Sequence, residues 1–347
     1  MLNSNHRVAV LLHEGIRGTQ GKTGLALVRY RPDAIAVVID QDCPGESFRN
    51  LTNIPCDVPI VASVSEALAY DVDVLAIGIA PSGGALPETW FAEIKQAIAA
   101  GVSIMNGLHT RMAALPELKA LLKPNQWIWD IRQEPSGLRV GSAMARMLSC
   151  KRVLTVGTDM SVGKMSTSLE LDRAAQKQGL RSKFLGTGQA GIMIAGDGIP
   201  LDAIRVDFAS GAVEQLVMRY GADSDILQIE GQGSLMNPAS TATLPLIRGS
   251  QPTHLILVHR AGQTHIRNFP HVSIPRLRAV VQVYETVASA GGSFAPAKVV
   301  AIALNTAHLD HDAAWRAIAL AQEETGLPCS DPVRFGVEPL LSAILTH

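Results

Sequence analysis

Short apolar runs alternate with amphipathic stretches along the whole chain. In the first 115 residues the apolar runs are Arg7–Leu12, Ala34–Asp40, Val58–Ala62, Asp73–Ala80 and Ser103–Asn106. Unbroken apolar runs of this length suit strands buried on both faces of a parallel sheet. Between them the spacing predicts a helix ending at Tyr30, a helix from Ser65 to Tyr70 with Ser65 as its N-cap, and a helix over Pro87–Ala100 stopped by Gly101. The alternation then restarts. Strands are predicted at Arg152–Val156, Ser182–Leu185, Asp225–Glu230, His254–Val258 and Lys298–Leu304. Helices are predicted at Gly163–Gln178, Gly211–Tyr220, Pro275–Ala290, His311–Thr325 and Glu338–Leu345. Two such series imply an α/β protein of two doubly wound parallel-sheet domains, with a seam in Pro135–Ser149, giving domains 1–148 and 149–347.

Composition narrows the class. The chain has 347 residues, 47% of them hydrophobic and 18% charged, with 30 glycines. This is enough apolar material for two cores and excludes intrinsic disorder. A net charge of -1 argues against a nucleic-acid coat. No run approaches the ~18 apolar residues of a membrane span, and the polar Met1–Arg7 leads into one apolar strand that is too short for a secretory h-region. The expectation is a cytoplasmic protein acting on a small molecule, without nucleic-acid or membrane partners, and homo-oligomeric. Cys43, Cys56, Cys150 and Cys329 are scattered without a CxxC pair, and the ten histidines show no ligand spacing, so no metal site is expected.

The most specific motif is Gly157-Thr158-Asp159-Met160-Ser161-Val162-Gly163-Lys164-Met165-Ser166-Thr167, between a predicted strand and a predicted helix. Such a loop turns its backbone N–H groups onto a phosphate, the helix N-terminus adds positive potential, and Lys164 supplies a cation. Candidate phosphate-binding residues are therefore Gly157, Thr158, Val162, Gly163, Lys164, Met165 and Ser166. The glycine spacing is one residue longer than GxxxxGK[ST]. The position that normally carries the Mg²⁺-binding hydroxyl is Met165, which weighs against metal-dependent hydrolysis; Ser166 and Thr167 follow it. Asp225–Glu230 ends in a carboxylate and a glycine loop, where such folds face an acid to the phosphate. A solvated strand end is the plainer alternative for Glu230. A second glycine loop, Glu14-Gly15-Ile16-Arg17-Gly18-Thr19-Gln20-Gly21-Lys22-Thr23, follows the first strand. Taken alone it reads as a weaker phosphate loop built on Gly15, Gly18, Gln20 and Gly21.

These motifs carry resemblances. GTDxxVGK at this spacing resembles the dethiobiotin synthetase branch of P-loop proteins, in which an Asn at a late strand end reads adenine; the resemblance gives that role to Asn305. The first loop, with Pro44-Gly45, Ser63–Ala67, Ala80-Pro81 and Asn106-Gly107-Leu108, resembles the CoA-binding Rossmann-like domain of the succinyl-CoA synthetase alpha subunit, although Arg17 replaces that family's Thr. Over the whole chain, Gly157–Thr167, Gly186–Met193, Asp207-Phe208, Gly211–Glu214, Glu230–Ser234 and Asp331–Gly336 resemble the D-glutamate N-acetyltransferase family. That resemblance implies a CoA-binding-domain-like first half, a P-loop NTPase-like second half, acetyl-CoA as cosubstrate and an acidic amino acid, D-glutamate, as acceptor.

Acetyl transfer to an amine needs a deprotonated nucleophile, proximity and oxyanion stabilisation. CoA carries several phosphates, so a phosphate loop can hold it without hydrolysing anything, and the sequence leaves open which of the two glycine loops does so. The acceptor's carboxylates suit arginine, and the candidates are Arg260 and Arg267 in His259-Arg260-Ala-Gly-Gln263-Thr-His265-Ile-Arg267, which follows a predicted strand. Asp159, Glu230 and His259 are the candidate catalytic bases, with His265 a further one. His109, His308 and His311 read as ordinary loop or cap residues. The alternatives are an ATP- and Mg-dependent ligase or kinase of the dethiobiotin synthetase type, and a nucleotide-binding protein without turnover.

Overall fold

The computed structural model describes residues 6–80 and 86–347. Met1–Asn5 and Pro81–Ala85 lie outside the described residues, and with them the start of the N-terminal segment and the Ala80-Pro81 element of the motif series. By their contacts the described residues form two compact units: 1–133 with 189–200, and 134–188 with 201–347.

The first unit contains β1 (Val8–Leu11), α1 (Lys22–Tyr30), β2 (Ile35–Ile39), α2 (Phe48–Thr52), β3 (Ile60–Val61), α3 (Val64–Ala67), β4 (Val74–Ile77), α4 (Glu88–Ala100), β5 (Ser103–Asn106), α5 (Pro116–Lys119) and β6 (Ile128–Asp130). Its sheet is entirely parallel, in the order β3-β2-β1-β4-β5-β6. This is the Rossmann order, in which a loop after β1 lies at the topological switch point. β1, β4 and β5 are buried at every position, which is why they read as unbroken apolar runs. Gly101 closes α4 with φ +106, a conformation that favours glycine. The helix at 64–67 differs from expectation: its N-cap is Ser63, whose hydroxyl accepts from Glu66 N, while the Glu66 carboxylate reaches back to Ala62 N. The Ser-x-x-Glu spacing of a capping box selects Ser63 over Ser65.

The second unit contains β7 (Lys151–Gly157), α6 (Lys164–Lys177), β8 (Ser182–Leu185), α8 (Val206–Gly221), β9 (Ile226–Ile229), α9 (Thr243–Ser250), β10 (His254–Arg260), β11 (His265–Ile266), β12 (Phe269–Ser273), α10 (Leu277–Ala288), β13 (Lys298–Asn305), α11 (His311–Thr325), β14 (Cys329–Ser330) and α12 (Glu338–Thr346). Its main sheet is also parallel, in the order β14-β13-β10-β7-β9-β8. β11 and β12 form an antiparallel hairpin. One core links β7, β9, β10 and β13 to α6 and α12 through Val153, Leu171, Ile226, Ile256, Val258, Ala301, Leu340 and Ile344. The fold is therefore the α/β architecture of two parallel sheets expected from the alternation.

Two segments pack away from their neighbours in sequence. α7 (Gln189–Ala195), flanked on both sides by second-unit chain, belongs to the first unit. There Arg31 donates to the Ile194 carbonyl at 3.1 Å, and Met193 closes on Gly107. Residues 134–148, assigned to the first domain from sequence, pack with the second unit on α8. The Glu214 carboxylate accepts from Ser142 N and Met144 N, and Arg205 pairs with Glu134. α8 begins at Val206, five residues before the expected start at Gly211. Gly211 is a mid-helix contact: a Cβ there would stand 1.7 Å from the Arg139 carbonyl.

Helix propensity alone would make Gly211→Ala stabilising by about 1 kcal/mol. The backbone clash reverses the sign, and the substitution is expected to destabilise by about 1–3 kcal/mol, the usual overpacking range. Urea denaturation checks this; an unchanged or raised midpoint would show that 134–148 does not press on α8.

Candidate functional site

The P-loop is built where β7 hands the chain to α6. Ser161 and Gly163 take positive φ (57 and 121), which turns successive N–H groups inward. α6 starts with no side-chain cap on Gly163, so its first donors are left for an anion. Gly231, after β9, is equally constrained: a Cβ would lie 1.7 Å from Thr155 O and 2.9 Å from the Lys164 stem.

Lys164 is buried, and its Nζ donates to the Asp159 carbonyl at 2.8 Å. Burial pushes its pKa down to about 8, against the opposing pull of Asp159 and Glu230. Glu230 is also buried. Desolvation pushes its pKa up to about 7, although its carboxylate accepts from Thr187 N at 2.8 Å and Gly188 N at 3.1 Å and faces Lys164. Each is charged in a setting that disfavours its charge, and each is the other's nearby counter-charge. Glu230 thus occupies the enclosed position expected of an acid facing the phosphate, rather than a solvated strand end.

Asp159 accepts four hydrogen bonds: Met160 N and Asn237 Nδ2 at 2.7 Å on one oxygen, Gln263 Nε2 at 2.7 Å and Arg267 N at 2.8 Å on the other. Burial alone would raise its pKa; the bonds from Arg267 N, Asn237, Met160 N and Gln263 outweigh it and hold the carboxyl below its ordinary value. This saturated carboxylate joins the P-loop to the Asn237 turn and the 260–267 loop. His259 bonds through Nδ1 to the Thr158 hydroxyl at 2.8 Å, and burial pushes its pKa down to about 4, so the imidazole is neutral at pH 7. It lines a pocket of about 310 Å³ with Ile274, Leu277, Leu304 and Ala317.

Asn305 donates from Nδ2 to Val162 O at 3.1 Å and accepts from Ala307 N at 3.2 Å, so both ends of its amide are engaged in holding the loop. Val162 sits in the core and Gly157 O accepts from the Tyr284 hydroxyl at 2.7 Å. Met165 and Ser166 lie half-buried on the first turn of α6, and the Thr167 hydroxyl is turned back to Gly163 O. The thioether at 165 and the Thr167 hydroxyl, bonded inside the helix, offer no Mg²⁺ ligand, which leaves the half-buried Ser166 as the one remaining hydroxyl among the three residues that follow Lys164. Among the described residues no three His, Cys, Asp or Glu cluster to hold a metal ion.

Arg260 and Arg267 meet in a second pocket, of about 340 Å³, with Gln263, His265 and His308. Its charged lining is wholly basic. Sequence reasoning missed Asn237, Tyr284 and His308. The first two act through single hydrogen bonds to the P-loop region and carry no spacing signal.

The glycine loop of the first unit has a different character. Gly15 N bonds to Leu12 O at 2.7 Å, and Cβ atoms at Gly18 and Gly21 would lie 2.2 and 2.3 Å from the carbonyls of Glu14 and Gly15. Asp40, at the end of β2, accepts from Glu14 N, Ile16 N and Asp42 N. Gln20 is exposed, and its carbonyl accepts from Ala80 N.

Known proteins share this organisation. Residues 139–341 match the family described as "Domain of unknown function (DUF1611_C) P-loop domain", and residues 41–134 match "Domain of unknown function (DUF1611_N) Rossmann-like domain". The chain belongs to the DUF1611 family. The crystal structure of a DUF1611 family protein from Anabaena variabilis is 63% identical, covers 99% of this chain and 100% of that one, and superposes with a TM-score of 0.95. Two family relatives, from Pseudoalteromonas sp and Tritonibacter scottomollicae, are each 36% identical over 81% of this chain and over 83% and 84% of their own lengths. Both are named D-glutamate N-acetyltransferase. No helix among the described residues is long and apolar enough to cross a membrane.

Replacing Asp159 by Ala strands Asn237 Nδ2 and Arg267 N without their acceptor and leaves Gln263 Nε2 only the His265 carbonyl. The expected loss is about 1–3 kcal/mol of unfolding free energy, read as a lower urea midpoint. A midpoint equal to that of the unsubstituted protein would show that the carboxylate does not hold the site together.

Proposed function

We propose that this chain is an acetyl-CoA-dependent N-acetyltransferase with an acidic amino acid, D-glutamate, as acceptor. The observation that carries the reading is a P-loop that keeps its anion cradle and buried Lys164, lacks the hydroxyl for Mg²⁺ at 165, and opens beside a pocket holding Arg260 and Arg267. The names of the two relatives supply the chemistry it fits. An ATP-dependent ligase would need a metal ligand that Met165 and Thr167 do not offer, and would have to take it from the half-buried Ser166.

In this reading Gly163, Lys164 and the first turn of α6 grip CoA phosphate. Arg260 and Arg267 pair with the acceptor's carboxylates, the contact to which a planar guanidinium is best suited. Asp159, Asn305 and His259 position rather than react: each is already hydrogen-bonded into the loop. Glu230 balances the buried ammonium. Catalysis then rests on holding the amine against the thioester carbonyl.

The test is release of free CoA from acetyl-CoA. Release that requires D-glutamate, and is absent with no acceptor, is the expected result. Absence of release with any amino acid, together with ADP formation from ATP and Mg²⁺, would overturn the reading in favour of the ligase.

Lys164 adds a pH signature. Only its protonated form attracts phosphate, and its pKa of about 8 in the free protein means that this form is lost as pH rises through 8. Between pH 6 and 8 Glu230, with its pKa of about 7, also titrates beside the loop; above pH ~8 CoA affinity measured by calorimetry is expected to weaken about tenfold per unit. Lys164→Ala should bind CoA about 10- to 100-fold more weakly, the effect of removing one charge-assisted hydrogen bond, and its affinity should no longer fall above pH ~8. Unchanged affinity in Lys164→Ala would remove the P-loop from the CoA site.

A further inference from the structure

His308 lies on the turn after β13 and lines the same basic pocket as Arg260, His265 and Arg267. Its Nε2 stands 3.0 Å from the Ala261 carbonyl. A carbonyl oxygen can only accept, so Nε2 carries the proton and Nδ1 of the neutral ring bears the lone pair. Nδ1 has no hydrogen-bond partner among the described residues. The turn is itself held. Asp331 accepts from Thr306 N at 2.8 Å and from its hydroxyl at 2.6 Å, and Arg334 donates to the carbonyls of Thr306 and Leu309. A base oriented by one fixed acceptor, with its other nitrogen left for substrate, is the arrangement general-base catalysis requires.

The other candidates do not offer it. Asp159 is saturated by four donors, and His259 is bonded to Thr158 with its basicity depressed by burial. Glu230 is enclosed behind Lys164 and outside the basic pocket. His265 bonds through Nδ1 to the Thr264 hydroxyl, which both donates and accepts and so fixes no tautomer.

We propose that His308 is the general base that deprotonates the acceptor amine, while Arg260 and Arg267 hold the acceptor's carboxylates in the same pocket. This rests on the acyl-transfer reading above. The acceptor ammonium gives one proton to Nδ1. The freed nitrogen lone pair forms the C–N bond to the thioester carbonyl carbon. The tetrahedral intermediate collapses, the C–S bonding pair leaves with sulfur, and the second nitrogen proton passes to the departing thiolate. His308 then returns its proton to solvent. The sum is acetyl-CoA plus ammonium giving amide, CoA thiol and one proton.

The charged groups lining the pocket with His308 are Arg260, His265 and Arg267, and Arg334 packs under its turn. The test compares wild type with His308→Gln, whose amide can still donate to Ala261 but cannot take a proton, and with His308→Ala. Wild-type release of CoA on adding D-glutamate is measured first; its absence overturns the acyl-transfer reading and this proposal with it. Given that activity, kcat for His308→Gln is expected to fall by about 10²–10⁴-fold, with the KM for acetyl-CoA within about threefold of wild type. The acid limb of kcat/KM should disappear, and added imidazole should restore turnover to His308→Ala. A kcat within about threefold of wild type with the acid limb retained overturns the base assignment alone. The same conclusion follows if His308→Ala, shown folded by retained CoA binding, loses activity that imidazole does not restore.

Discussion

The arrangement of the second unit depends on one carboxylate. Asp159 lies inside the phosphate loop, yet two of its donors, Gln263 Nε2 and Arg267 N, come from the loop after β10, and a third, Asn237, comes from the turn after β9. The three segments meet at the carboxyl edge of the parallel sheet, where α/β folds place their ligands. Because Asn237 Nδ2 and Arg267 N would lose their acceptor if Asp159 moved, while Gln263 Nε2 would keep only the His265 carbonyl, the anion cradle and the arginine pocket are held as one piece. The acid that sequence reasoning ranked as a possible base is the group that holds the site together.

The same region keeps two charges where water would not leave them. The pKa of Glu230 rises to about 7, so its burial costs stability as pH rises from its ordinary value of 4.5 towards 7. That of Lys164 drops to about 8, so its burial costs stability as pH falls from 10.5 towards 8. Near neutrality both costs are present, and their mutual attraction offsets only part of them. A polyanionic ligand at α6 would give the ammonium a second partner. Among the described residues, the only acceptor meeting Lys164 Nζ at hydrogen-bond distance is the Asp159 carbonyl, so two of its three N–H groups would be open to such a ligand.

Much of this was legible in the sequence because it was periodic or glycine-marked. The apolar runs became the central strands, the helices at 88–100 and 311–325 fell where spacing put them, and the GTDxxVGK loop joins strand to helix. What was not legible depends on distant partners. α7 joins the first unit because Met193 and Ile194 find partners at Gly107 and Arg31, more than eighty residues away. α9 carries Pro245 in its first turn, which reads as a breaker, although the missing N–H there is one that a helix start does not use. Asn305 is a similar case: the bond from its amide to Val162 O spans 143 residues and no local pattern announces it. His308 reads as an ordinary loop residue, and the Ala261 carbonyl that meets its Nε2 lies 47 residues away.

In the proposed function this P-loop grips the phosphates of CoA through backbone donors and Lys164 without a divalent metal. Calorimetric titration of CoA into the full chain, once with excess EDTA and once with Mg²⁺, addresses it directly. One site and the same affinity, within about twofold, are expected in both buffers. Binding that appears only with Mg²⁺, or no binding in either, would contradict it.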